Sequence, residues 1–154
     1  MKNPLADILF APSCPAHLND WRSLRAALWP DCPADEHQRE IDAQIAEPAR
    51  YAAFIAMDAA GGAVGLIELA IRHDYVNGTH HSPVGFVEGL YVAPEHRRAG
   101  VAVRLLRAAQ AWARDRGCVE LASDTALDNI VSQTAHQALG FEETERVVFY
   151  RMAL

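Results

Sequence analysis

Residues 84–122 restrict this chain to a small set of folds. An apolar run from Val84 to Val92 is closed by Ala93-Pro94. A short basic turn follows, and Val101 to Arg116 then carries apolar residues at helical spacing until Gly117. Val119 to Ala122 is the next apolar run. Strand, helix and strand in that order make a crossover, in which the helix packs back on the sheet. Upstream the rhythm differs. Tyr51 to Met57 and Ala63 to Ile71 flank Asp58-Ala59-Ala60-Gly61-Gly62, a hairpin signal. Hairpins before and a crossover after predict an α/β (α+β) fold with a mixed central sheet flanked by helices.

The remaining segments fit that frame. Ile8 to Ala11 reads as a short first strand. Leu18, Trp21, Leu24 and Leu28 share one face of a helix from His17 to Leu28, which Pro30 closes. Ala34 to Ala46 reads as a more polar helix, Ile130 to Leu139 as a helix stopped by Gly140, and Thr144 to Met152 as a last strand. Arg72 to Pro83 is a polar loop containing the turn dipeptide Asn77-Gly78. The 154 residues suit one domain, 1–154, and 51% apolar residues suffice for a core without disulfide or metal staples.

Composition also narrows the partners. The net charge of −6 argues against nucleic acid and permits a cationic ligand. Cys14, Cys32 and Cys118 lack metal-ligand or C-x-x-C spacing, which predicts a reduced cytoplasmic protein. Neither a signal peptide nor a membrane span is expected. The adjacent His80-His81 has no third ligand at fixed spacing, so no metal is expected.

The turn between strand and helix carries the chemistry. Its core is Arg97-Arg98-Ala99-Gly100-Val101-Ala102. Gly100 permits close backbone approach, the first helical N–H groups point at one spot, and two arginines add charge. Cations are disfavoured at a helix start, and a bound anion relieves that conflict. The pattern suits a pyrophosphate, although a plain strand-to-helix turn with a basic flank remains the alternative.

This segment resembles the Q/R-x-x-G-x-G/A signature of GNAT-superfamily N-acetyltransferases. Glu88-Gly89-Leu90-Tyr91-Val92, Asp128-Asn129 and Leu139-Gly140-Phe141 match its companion features, so the resemblance spans essentially the whole chain. A narrower resemblance, to chromosomally encoded bacterial aminoglycoside 6′-N-acetyltransferases, rests on four stretches. These are Leu28-Trp29-Pro30, His73-Asp74-Tyr75-Val76-Asn77-Gly78, Ala122-Ser123-Asp124-Thr125, and Gly140-Phe141-Glu142-Glu143-Thr144-Glu145-Arg146-Val147.

The resemblance implies an acetyl-CoA cosubstrate, with pantetheine along Leu90, Tyr91 and Val92. The pyrophosphate would lie on Arg97, Arg98, Ala99, Gly100, Val101 and Ala102, and Asn129 would reach the pantetheine or thioester end. Taken alone, Asn129 is also a simple helix-start residue. Many relatives place a tyrosine four residues before the Gly-Phe pair; here His136 stands there. It is either a proton donor to the leaving thiol or a structural helix histidine.

For the acceptor, an aminoglycoside polycation, the resemblance implies Trp29, Tyr75, Glu88, Asp124 and Glu145, with Asp124 and Glu88 in catalytic roles. By strand spacing Glu88 shares a face with Phe86 and Leu90, so it is a charge in an apolar row or an edge carboxylate facing water. Asp124 lies at the carboxyl end of a strand, where ligands bind, or closes an Asx turn. Glu145 alone would pass for a solvated hairpin charge, and Trp29 for a helix end against the core. Cys32 departs from a histidine found near this point in the family. The resemblance also implies a homodimer in which the Tyr75 loop reaches the neighbouring subunit. Two other functions are carried alongside: acetylation of polyamines or another small amine, and a coenzyme-A-binding module without catalysis.

Overall fold

The computed structural model describes residues 9–12 and 14–154, with side chains from Cys14 onward. Its elements are β1 (Leu9–Pro12), α1 (Leu18–Leu28), α2 (Ala34–Ala46), β2 (Tyr51–Met57), β3 (Ala63–Arg72), β4 (Val84–Val92), α3 (Val101–Arg114), β5 (Leu121–Ser123) and α4 (Ile130–Ala138). The sheet order follows the chain, β1-β2-β3-β4-β5. The first three pairings are antiparallel, and β4 with β5 is parallel. The mixed sheet and the crossover through α3 agree with the sequence reading. Ile8, placed in the first predicted strand, lies outside the described residues.

β3 is central, and Val64 to Ile71 are all buried, because helices cover both faces of the sheet. On one face α3 presents Val101, Leu105, Leu106, Ala109 and Trp112 to Ile67, Leu69 and Val87. Each such Leu or Val contributes about 1.5–3 kcal/mol when fully buried. Gly117 (φ 80°) ends the helix, with Cys118 N–H donating to the Ala113 carbonyl in a Schellman closure. The opposite face holds Trp21, Leu24, Ile41, Ala53, Ile55 and Leu66 under α1 and α2.

Two expectations are corrected. Thr144 to Met152 is not a strand: residues 141–154 carry no secondary structure, and beyond the half-buried Phe141 they run as an exposed arm. Phe149 and Tyr150 are 86% and 92% exposed, and Val148 and Met152 are exposed beside them. The arm has strand-forming residues, but no strand among the described residues pairs with it to complete a ladder. The second correction concerns faces. Glu68 pairs with Gly89 and Leu69 with Val87, so Glu88 is an extra residue, a β-bulge. The bulge resets the alternation. Leu90 therefore shares the Val87 face against α3, while Phe86 packs with Val76 and Val84 on the other face.

Candidate active site

The β4–β5 pairing covers only Gly85 to Val87 against Leu121 to Ser123. Beyond it, residues 89–92 pair with β3 alone, and the strand from Glu88 onward keeps an open edge on the β5 side. Those backbone groups need a hydrogen-bonding partner. Leu90, Tyr91 and Val92, the residues expected along a pantetheine arm, occupy this edge.

The turn into α3 adopts an uncommon shape. Arg98 (φ 58°) and Gly100 (φ 80°) are both left-handed, and Gly100 directly precedes the first helical residue, Val101. Left-handed residues of this kind turn successive N–H groups toward one concave spot, which suits an anion. Arg97 donates from Nε to the Val92 carbonyl at 2.9 Å, binding the turn back to the strand end. Arg97 and Arg98 are exposed. Open edge, basic turn and helix N-terminus are therefore contiguous, and the residues present fit a pantetheine-pyrophosphate ligand.

Two cavities lie on the acceptor side. One, about 760 Å³, is lined by Arg25, Trp29, Asp31, Cys32, Glu40, Gln44, Glu68 and Glu88 among others. The second, about 720 Å³, includes Tyr75, Asn77, Ser123, Asp124, His136 and Glu145 in its wall. The five expected acceptor residues thus divide between neighbouring cavities: Trp29 and Glu88 in the first, Tyr75, Asp124 and Glu145 in the second. Arg72 stands between them. Its Nη2 donates to both Glu88 oxygens (2.8 and 3.1 Å), and its guanidinium covers the Phe86 ring at 3.5 Å. Glu88 is therefore an exposed, paired carboxylate on a bulge and not a charge in an apolar row.

Asp124 is exposed immediately after β5. It makes no side-chain hydrogen bond among the described residues, so it does not close an Asx turn. Glu145, on the arm, accepts from Asn77 Nδ2 at 3.0 Å, which fixes the arm against the loop from residue 73 to 83. That loop is anchored elsewhere by Glu120, which accepts the His80 and His81 N–H groups (2.9 and 2.8 Å) and faces His81 Nδ1. The His80 N–H, with His81 adding its ring and backbone bonds, holds the Glu120 carboxyl below the usual carboxylate range. Tyr75, 76% exposed, projects from the loop.

His136 lies on α4 with both ring nitrogens engaged. Nδ1 is 2.7 Å from the Ser132 carbonyl, which only accepts, so Nδ1 carries a proton. Nε2 is 2.8 Å from Ser123 Oγ, and that hydroxyl also reaches the Val87 carbonyl at 3.3 Å. The ring meets Phe141 edge-on at 5.3 Å. Asn129 caps α4 by accepting the Ser132 N–H at 3.0 Å. Burial pushes the Cys118 thiol up, against the pull of Arg116, and Cys118 lies under α3 away from these groups. No cluster of three or more His, Cys, Asp or Glu among the described residues is arranged to hold a metal. No helix among them is long and apolar enough to cross a membrane.

Three groups at the site carry no motif that marks them in the sequence: Arg25, Glu68 and Arg72. The first two are buried, at 3% and 2% exposure. An acidic residue inside an otherwise apolar run, as in Leu66-Ile67-Glu68-Leu69, is the one available signal.

Comparison with known proteins agrees with this geometry. Residues 18–141 match the acetyltransferase (GNAT) family. The aminoglycoside N(6′)-acetyltransferase type 1 of Salmonella typhimurium is 53% identical over 135 residues, covering 88% of this chain and 92% of that protein. The Stenotrophomonas maltophilia protein of the same name is 51% identical over 140 residues, covering 91% and 90%. Among solved structures, AAC(6′)-Iy in complex with the bisubstrate analogue CoA-S-monomethyl-acetylneamine superposes with a TM-score of 0.90 at 48% identity, covering 96% of this chain and 99% of that one. The Acinetobacter baumannii 6′-N-acetyltransferase AAC(6′)-Ih gives 0.91 at 43% identity, covering 96% and 99%. With a family match over most of its length and relatives near half identity, the chain belongs to the GNAT acetyltransferase family.

Proposed function

We propose that the chain transfers the acetyl group of acetyl-CoA to the 6′-amino group of aminoglycosides by direct attack in a ternary complex, conferring resistance to them. One observation carries the reading. The open β4 edge has cavities bearing Glu88, Asp124 and Glu145 at one end and the left-handed basic turn at the other. The edge from Glu88 to Val92 thus joins a carboxylate-lined cavity to an anion cradle.

Acetyl-CoA, when bound, supplies an activated thioester. The open-edge N–H and C=O groups of residues 88–92 would pair with its amide arm. Arg97, Arg98 and the backbone from Ala99 to Ala102 would hold its phosphates, and Asn129 its pantetheine end. Backbone N–H groups at this edge stabilise developing negative charge without reorganising. Glu88, Asp124 and Glu145 attract a polyamine, and Trp29 and Tyr75 wall it in. A carboxylate is too weak a base to strip an alkylammonium outright. Asp124 therefore orients the amine and takes up its proton as the new N–C bond forms. With Nδ1 committed to the Ser132 carbonyl, His136 can return a proton toward the leaving sulfur only from a protonated Nε2 through the Ser123 hydroxyl.

The reading includes a cytoplasmic homodimer. β5 is the sheet's edge, and the arm from residue 141 to 154 exposes Val148, Phe149, Tyr150 and Met152 in an extended chain. Exposed apolar surface next to an open strand edge is the signature of pairing with another chain. A second copy supplies what the arm and β5 each lack, and it brings Tyr75 and Glu145 to a shared interface.

The test is thiol release from acetyl-CoA with kanamycin-type amines, spermidine and a peptide as acceptors. Aminoglycosides should be preferred, and Asp124→Asn should lower kcat/KM for them by roughly 10²–10⁴. Faster turnover of spermidine or the peptide, or an Asp124→Asn enzyme with unchanged kinetics, would overturn the reading.

A further inference from the structure

Arg25 makes an unusual set of contacts for a residue at 3% exposure. From the last turn of α1, its Nη1 donates to both oxygens of Glu68 on β3, at 2.7 and 2.6 Å. Its Nε lies 3.2 Å from His37 Nδ1 on α2, and its Nη2 contacts Glu40 on the same helix. Glu68 in turn accepts from Trp21 Nε1 (2.5 Å) and Gln44 Nε2 (3.3 Å). A buried pair of this kind adds little stability over an apolar replacement, because desolvation consumes most of the attraction. Its retention invites a positional explanation.

The geometry supplies one. The guanidinium carbon lies 4.7 Å from the centroid of Trp29, the first residue beyond α1. A Cβ built at Gly89 would sit 2.6 Å from Trp29 Cη2 and 2.8 Å from Cζ2. The ring therefore touches the β4 backbone beside the Glu88 bulge. It contacts both a guanidinium that Glu68 holds and a strand residue without a side chain.

We propose that Arg25 is a positioning residue for the transfer reaction: held by Glu68, it fixes the Trp29 indole on Gly89 and so sets the acceptor wall beside Glu88. The proposal rests on the reading of Trp29 and Glu88 as acceptor-site residues. Arg25 itself touches no reacting atom. Its planar guanidinium does what an ammonium cannot: Nη1 pairs with Glu68, Nε and Nη2 reach His37 and Glu40, and the same flat group lies over the indole.

The test uses Arg25→Lys, which keeps the charge opposite Glu68, together with Trp29→Ala and the double variant. The protein is labelled with 5-fluorotryptophan, and the Trp29 fluorine signal is assigned by its loss in Trp29→Ala. In Arg25→Lys that signal should shift or broaden in the free enzyme, while that of Trp112, on the other side of the sheet, stays in place. The aminoglycoside KM should rise roughly ten- to thirtyfold, the scale of a buried cation–π contact, with the acetyl-CoA KM within about twofold. In the double variant, Arg25→Lys should add nothing to the effect of Trp29→Ala. An unmoved fluorine signal, additive effects, or equal changes in both KM values would overturn the proposal. Should Arg25→Lys not fold, Glu68→Gln takes its place, with the same readouts expected and the same results overturning the proposal. If Trp29→Ala leaves the aminoglycoside KM unchanged, the acceptor reading fails and the proposal with it. If Trp29→Ala raises it and Arg25→Lys does not, the proposal alone fails.

Discussion

Gly89→Ala should damage acceptor use far more than it damages the fold. The added Cβ would lie 2.6 and 2.8 Å from two Trp29 ring atoms and 2.9 Å from Leu28 Cδ2. Comfortable carbon contacts need about 3.5–4.0 Å, so the indole must retreat by roughly 1 Å. Overpacking of this kind costs about 1–3 kcal/mol. In a chain of this size it lowers Tm by roughly 2–4 °C per kcal/mol. A 1 Å displacement of a substrate-positioning wall can cost about a hundredfold in rate. Thermal unfolding followed by circular dichroism should show the modest loss, and thiol-release kinetics should show kcat/KM for an aminoglycoside falling steeply. Coupling Gly89→Ala to Trp29→Leu separates the two effects: the smaller side chain relieves the clash and restores Tm, while acceptor use stays poor. Unchanged Tm and unchanged kinetics in Gly89→Ala would mean that the indole does not rest on this strand. Recovery of activity in the double variant would refute Trp29 as part of the acceptor wall.

Gly100→Val places a β-branched residue at φ 80° and should abolish acetyl-CoA binding by calorimetry, since the cradle would be lost at a strain of roughly 1–3 kcal/mol; unchanged affinity would remove the phosphate-turn assignment. Because Glu120 is held below the usual carboxylate range in the folded loop, its anchoring of His80 and His81 persists through that range and is lost only as pH falls below it. The Glu120 side-chain carboxyl carbon followed by NMR from pH 7 downward should therefore titrate only below the usual carboxylate range, and a midpoint within or above that range would contradict the assignment. Deleting residues 142–154 should convert a dimer to a monomer in light scattering at micromolar concentration, whereas a monomeric full-length chain would refute the role given to the arm.

What the sequence could convey depended on whether the partner of each segment lay nearby. α2 and β4 begin and end where predicted, and α3 stops two residues early at Arg114, because local periodicity and the Ala93-Pro94 and Gly117 signals decide such boundaries. The turn at Arg97 to Ala102 was legible for the same reason. Glu88 was misplaced relative to Leu90 because a bulge is a property of two strands, and nothing in Val84 to Val92 counts the residues of β3 opposite. The Arg25–Glu68 pair joins positions 43 residues apart, a contact that no window along the chain contains. Thr144 to Met152 has strand character but finds no ladder within its own chain. The division of the acceptor residues over two cavities likewise arises only when the loop and arm are laid beside β4.

Arg72 gives Glu88 a counter-ion before any ligand arrives. Both partners are partly exposed, with side chains 40% and 36% accessible, and exposed pairs of this kind hold by only about 0–1 kcal/mol. If Glu88 receives the acceptor as proposed, entry of an ammonium is an ion exchange and not a simple neutralisation: one cation leaves Glu88 as another takes its place. A tethered competitor acts at a high effective concentration. A monoamine must overcome it alone, whereas a polyamine already held by carboxylates elsewhere competes on equal terms. Such an exchange filters acceptors by the number of their charges.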